Sequence, residues 1–86
     1  MALARVLDLI QARPLYDQLV ALPGGAVSLD ASAVERMSTP CVQVLIAAGR
    51  SFSQSGRPFQ IVNGSSAFKE ALLELGVAPE FSKWMV

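Results

Sequence analysis

The chain has 86 residues, with 7 Lys plus Arg against 7 Asp plus Glu, no His and a formal net charge of +0. That length builds one small domain, and a charge-balanced chain has no basic surface with which to grip a phosphate backbone, so nucleic acid is excluded as a partner. Hydrophobic residues make up 52% and charged ones only 16%, against roughly 25% charged in ordinary domains; such a chain fills a core, which excludes disorder and leaves apolar surface over.

The absence of His removes the commonest general base and the commonest metal ligand. Cys41 has no second cysteine for a disulfide or a thiolate metal site, so no oxidising compartment, metal or cofactor is implied. No apolar run approaches the roughly 20 residues that span a bilayer. Arg5 and Asp8 interrupt the segment where a signal peptide keeps its apolar core. The expectation is a cytoplasmic protein without membrane insertion, and not an enzyme by itself.

Taken in chain order, Leu3, Val6, Leu7 and Leu9 form an apolar segment with no helical start signal, which reads as a strand over 2–9. From Ile10 to Leu22 the residues Leu15, Leu19, Val20 and Leu22 recur at helical spacing, Pro14 fits a first turn, and Pro23-Gly24-Gly25 ends the helix. Gly25 to Asp30 is short and apolar between turn signals, as in a strand covered on both faces. Ser32-x-x-Glu35 has the form of a capping box, enough for one turn. The clearest helix follows. Val42, Leu45, Ile46, Gly49 and Phe52 fall on one stripe with Gln43, Arg50 and Gln54 off it, and Gly56-Arg57-Pro58 breaks it. Phe59 to Val62 reads as a strand, and Asn63-Gly64-Ser65-Ser66 as a turn and N-cap. The helix starting near Ala67 buries Phe68, Ala71, Leu72 and Leu75 before Gly76 at C′. A short helix is expected within 77–86, where Phe81, Trp84 and Met85 read first as packing and second as a contact surface. Strand and helix alternating three times predict right-handed crossovers and a single α/β domain over 1–86 with a mainly parallel sheet.

In open α/β sheets, partners and ligands favour the carboxyl ends of strands and the helix N-termini that follow. Here that is Asp30 to Cys41, centred on Met37-Ser38-Thr39-Pro40-Cys41. Pro40 suits the first helical position, which makes Thr39 the N-cap and sets its hydroxyl at the positive end of the helix dipole. A phosphate on Thr39 would meet free backbone N–H groups there. The plainer alternative is that Ser38 and Thr39 simply cap a helix. Cys41 lies in the first turn, where the dipole can lower a thiol pKa, but no His accompanies it, and it reads as a buried thiol rather than a redox group. The 7 carboxylates are scattered and offer no acid–base pair. The Asn63-Gly64-Ser65 sequon is discounted for want of a secretion signal, and Gly24, Gly25 and Gly64 are too sparse for a phosphate-binding loop.

The run Leu29-Asp30-Ala-Ser32-Ala-Val34-Glu-Arg-Met37-Ser38-Thr39-Pro40-Cys41-Val42-Gln43-Val44-Leu45-Ile46 resembles the signature of STAS domains, the sulfate-transporter and anti-sigma-factor-antagonist family. Leu7-Asp8 is similar to the family's Leu-Asp before its first helix. Phe59-Gln-Ile-Val62-Asn63, followed by a Ser-capped helix ending in Leu75-Gly76, is similar to its later half. The resemblance implies a STAS-like α/β fold, here a minimal version lacking a full N-terminal strand, and a non-enzymatic adaptor that binds a partner protein. In that family the partner is often an ATP-binding kinase with a histidine-kinase-type ATPase fold, which phosphorylates a Ser or Thr at the helix start. Matched residue by residue, that phosphoacceptor is Thr39, with Ser38 at the family's Asp, Pro40 at its small residue and Cys41 at its Gly. The implied partner surface is Asp30, Ser32, Ser38, Thr39, Pro40, Cys41 and Gln43. Thr rather than Ser at 39 is similar to members that serve as accessory subunits of lipid-transporting ABC ATPases without phosphorylation. Small bacterial members encoded with chemotaxis genes offer a third context. Zero net charge and high apolar content favour a homodimer without marking its interface.

Overall fold

Strand residues alternate between core and solvent, and that decides how the sheet is covered. β2 (Val27–Asp30) and β4 (Phe59–Val62) pair in parallel, Val27 beside Phe59 and Asp30 beside Val62. Val27, Leu29, Phe59 and Ile61 are buried, whereas Ser28 and Gln60 between them are exposed, the period of two of a half-covered sheet. The computed structural model, which describes all 86 residues, thus corrects the expectation of a strand covered on both faces. Parallel sheets usually are covered twice; here polar Ser28 and Gln60 face solvent, and the helices gather on the other side around one cluster of 18 buried residues.

Further strand segments flank this pair. Asp30 N donates to Met1 O at 2.8 Å and Leu3 N to Asp30 O at 2.9 Å, so the chain start runs parallel along β2. Beyond β4, Ile61 N donates to Trp84 O at 2.7 Å and Val86 N to Ile61 O at 3.0 Å, again in parallel. The first segment then changes partner: β1 (Val6–Leu7) pairs in parallel with β3 (Arg36–Met37). The strand expected over 2–9 is therefore split, and Leu9 opens a 3-10 turn (Leu9–Gln11) whose cap Asp8 accepts from Gln11 N at 3.2 Å. β3 stands near where Ser32-x-x-Glu35 suggested one helical turn. Glu35 is drawn to Arg5 instead: their side chains form an ion pair, and the backbone N–H groups of Glu35 and Arg36 both donate to Arg5 O. All strand pairings are parallel, as the alternation of elements predicts.

α1 (Ala12–Val20) turns Leu15 and Leu19 inward. Pro23 to Gly25, with Gly25 at φ 101°, then carries the chain toward β2. Arg57 closes that turn, donating from Nε to Gly25 O at 2.9 Å and from its other end to Pro23 O, with its guanidinium 4.6 Å from the Phe52 ring centre. α2 (Thr39–Gln54) is the crossover that makes the β2–β4 pairing parallel, and it buries Cys41, Val42, Leu45, Gly49 and Phe52. Trp84 lies so close to Gly49 that a Cβ there would be 2.5 Å from the indole ring. Five aromatic side chains continue from that contact: Phe52–Phe59 at 5.6 Å, Phe59–Trp84 at 5.4 Å, Trp84–Phe81 at 5.4 Å and Phe81–Phe68 at 6.2 Å. Three of those contacts are edge-to-face, the geometry that rings prefer. α3 (Ser66–Glu74) starts at the predicted cap, Ser65 Oγ accepting from Phe68 N at 3.0 Å, and is followed by Gly76 at φ 72°. α4 (Ala78–Ser82) fulfils the expected short helix and carries Phe81 into the core.

Candidate functional site

Because the strands are parallel, their carboxyl ends lie at one edge, and the stretch singled out in the sequence falls there. Ser38 N donates to Leu7 O at 2.8 Å and the Cys41 thiol to Asp8 O at 3.3 Å, which fastens the start of α2 to the end of β1. That ladder bond holds Ser38 extended, φ −87° and ψ 159°, and its carbonyl accepts the first helical bond from Val42 N at 3.1 Å. Ser38, not Thr39, is therefore the N-cap, and Thr39 and Pro40 are the first two helical residues. The correction has a plain cause. The β1–β3 pairing ends at Ser38, so the chain turns into helix immediately after it.

Ser38 occupies the cap without capping. Its Oγ makes no bond to the helix and is buried with no hydrogen-bond partner, a condition that costs roughly 1–3 kcal/mol. Thr39 is exposed, as is Gln43 one turn along the same face, and Pro40 is half-buried. Cys41, assigned by resemblance to the partner surface, is 0% exposed. Its side chain belongs to the core.

Asp30 and Ser32 stand apart from this helix start. Asp30 Oδ1 accepts from Ser32 N at 2.9 Å. That backbone bond, then the Ser32 hydroxyl, Asn63 and the N-terminal ammonium hold the Asp30 carboxyl below the usual carboxylate range. The turn is fastened to the start of α3, where Ser65 N donates to Ala31 O at 3.2 Å and Ser65 Oγ to Val34 O at 2.6 Å. The seven sequence candidates thus form two groups on one edge: Ser38, Thr39, Pro40 and Gln43 over a buried Cys41, and Asp30 with Ser32. Phe81 and Trp84, the second candidates for a contact surface, are core at 0% and 4% exposure.

Two residues beside the helix start escape the sequence reading. Leu9 and Ile10, just after Asp8, are 70% and 77% exposed, although one was read into a strand and the other into a helix. For Ile10 the signal is positional: on the helical rod it lies opposite Leu15 and Leu19, the residues that face the core.

No three His, Cys, Asp or Glu side chains stand close enough together to hold a metal ion. No helix is long and apolar enough to cross a membrane. The edge offers an exposed hydroxyl at a helix start with polar and apolar neighbours, an arrangement suited to contact with another surface. A family model described as Mlab, STAS domain matches residues 1–82 of the chain. No curated protein and no solved structure matches it.

Proposed function

We propose that this chain, which belongs to the STAS domain family, is an adaptor that binds a partner protein through the start of α2, with Thr39 at the centre of the contact. Domains of this family are generally regulatory rather than enzymatic. The observation that carries the reading is the setting of Thr39: an exposed hydroxyl at the first position of a 16-residue helix, with exposed Gln43 a turn away. The first-turn N–H groups and the dipole favour an anion there, so the fold tolerates a phosphate on Thr39. The added charge, close to −2, must be desolvated by any surface packed over it, and a bound partner is driven off. The partner is an ATP-binding kinase of histidine-kinase type, which docks on bare Thr39 and modifies it.

Ser38 and Cys41 stand where the family's phosphorylated members carry Asp and Gly, so this helix start has no carboxylate beside the hydroxyl. That departure supports a second reading, a constitutive accessory subunit of an ABC-type ATPase in which Thr39 is a contact and never modified. Intact-mass spectrometry of the natural protein beside Thr39→Ala separates the two. A phosphate-sized increment present in the first and lost in the second is the expected result, together with weaker partner capture by Thr39→Glu. No increment under any growth condition, with capture undiminished by Thr39→Glu, overturns the switch.

A further inference from the structure

The outward face of residues 9–20, a 3-10 turn running on into α1, carries a symmetric order of side chains. Ile10, Arg13, Asp17 and Val20 share it, on the side away from buried Leu15 and Leu19. The four stand symmetrically about position 15, with the apolar pair outermost and the charged pair inside. Ile10 is 77% and Val20 62% exposed, and the side chains of Arg13 and Asp17 are 81% and 58% exposed. At the Val20 end, a groove of about 240 Å³ opens between Tyr16 and Val20 of α1 and Val44, Ala47 and Ser51 of α2. One end of the face therefore projects and the other recedes.

We propose that this face is the interface of a two-fold homodimer in which α1 packs antiparallel to its copy. A two-fold axis at the height of position 15 sets Ile10 of one copy against Val20 of the other, so that each Ile10 packs at the rim of the opposite groove. Arg13 and Asp17 already pair within one helix at 3.1 Å; the same axis lays two such pairs head to tail, so that each Arg13 also faces the Asp17 of the other copy. No further charge lies on the facing part of α2, since Arg50 is held by Glu80 at 2.8 Å. An isologous contact needs a surface complementary to itself, and this one is so in both shape and charge. A different protein would need only one of those complementarities. A dimer of ordinary size buries roughly 800 Å² per partner; of 4954 Å² in all, that is about one side of a body 29 × 25 × 19 Å. With net charge +0, no general repulsion opposes the pairing.

Sedimentation equilibrium over a dilution series tests this on the full chain without any partner. The natural protein is expected at twice 9.1 kDa, dissociating on dilution. Ile10→Asp is expected to raise the dissociation constant by roughly tenfold or more. Arg13→Asp weakens the dimer by several-fold, and adding Asp17→Arg restores it, because both cross-pairs reform with their signs exchanged. Leu73→Asp, at a position 69% exposed on α3, leaves the dimer unchanged. All these positions are exposed, so far-ultraviolet circular dichroism should report the same fold throughout. A monomer at the highest concentration reached, or a dimer indifferent to Ile10→Asp or lost with Leu73→Asp, overturns the proposal.

Discussion

The two ends of α2 are built on opposite terms. Toward its C-terminus, Gly49 and Phe52 are packed against Trp84, Phe59 and Arg57 until no room is left for a methyl group. At its N-terminus, the cap hydroxyl of Ser38 is buried without a partner while Thr39 and Gln43 stand in solvent. One helix thus joins an end packed tight around its core face to an end whose inner side, Cys41 and Val42, is packed while its outward side chains face solvent. The contrast teaches where to look for contact with other molecules: at side chains for which the chain's own stability has no need.

Stability measurements can break that contrast. Trp84→Ala should cost about 3–5 kcal/mol in chemical unfolding, since it empties the centre of the aromatic row. Gly49→Ala should cost about 1–3 kcal/mol. The sign is the informative part, because glycine to alanine in a free helix interior gains about 1 kcal/mol, and here the new Cβ meets ring atoms 2.5 Å away. At the other end, Ser38→Ala should be neutral within about 0.5 kcal/mol or stabilising, whereas a working N-cap loses about 1 kcal/mol. A loss of that full size would show that Ser38 caps after all. Thr39→Glu should leave stability unchanged within about 0.5 kcal/mol, as expected of an exposed position at a favourable helix end.

The smallest effect sharpens the comparison along the strand-end edge. Asp30, held by Ser32, and Glu35, held first by its hydrogen bond from Arg5 and then by the Arg5 charge, both lie below their ordinary values of 3.8 and 4.5. A depressed carboxyl contributes stability above its unfolded value and loses it as pH falls through the folded one. Acid titration of unfolding should therefore show a shallow decline below pH 4.5, flattened in the Asp30→Asn, Glu35→Gln double variant. Solvent screening keeps the effect small.

What the sequence disclosed follows the strength of local periodicity. α2 was legible because Val42, Leu45, Gly49 and Phe52 repeat over nearly three turns, and β4 because turn residues bracket it. β3 was not, because two residues carry no period and their pairing depends on β1 thirty positions away. The alternation of Val27, Ser28, Leu29 and Asp30 did mark a strand with one wet face, but four residues were too few to outweigh the apolar flanks. At the candidate site, the stretch itself was legible from the Pro40 signal and the family-like run. The cap position was misplaced by one residue, since a ladder bond to Leu7 decides it. Cys41 reads as a buried thiol from its own chemistry and is one; only the aligned motif set it on the partner surface, because a motif carries positions and not the direction a side chain faces.

A ladder whose strands all run the same way has no hairpin from which to grow. β2 and β4 are joined only by way of α2, the chain start must find β2, and Trp84 must find Ile61, each across more than twenty residues of intervening chain. Closure of such loops precedes any reward from pairing, which makes parallel sheets slow to assemble for their size. The helix that carries Thr39 is also the bridge across which the sheet must close. Substitutions at Leu45 and Gly49 should therefore appear in the folding limb of a chevron plot, and those at Thr39 in neither limb.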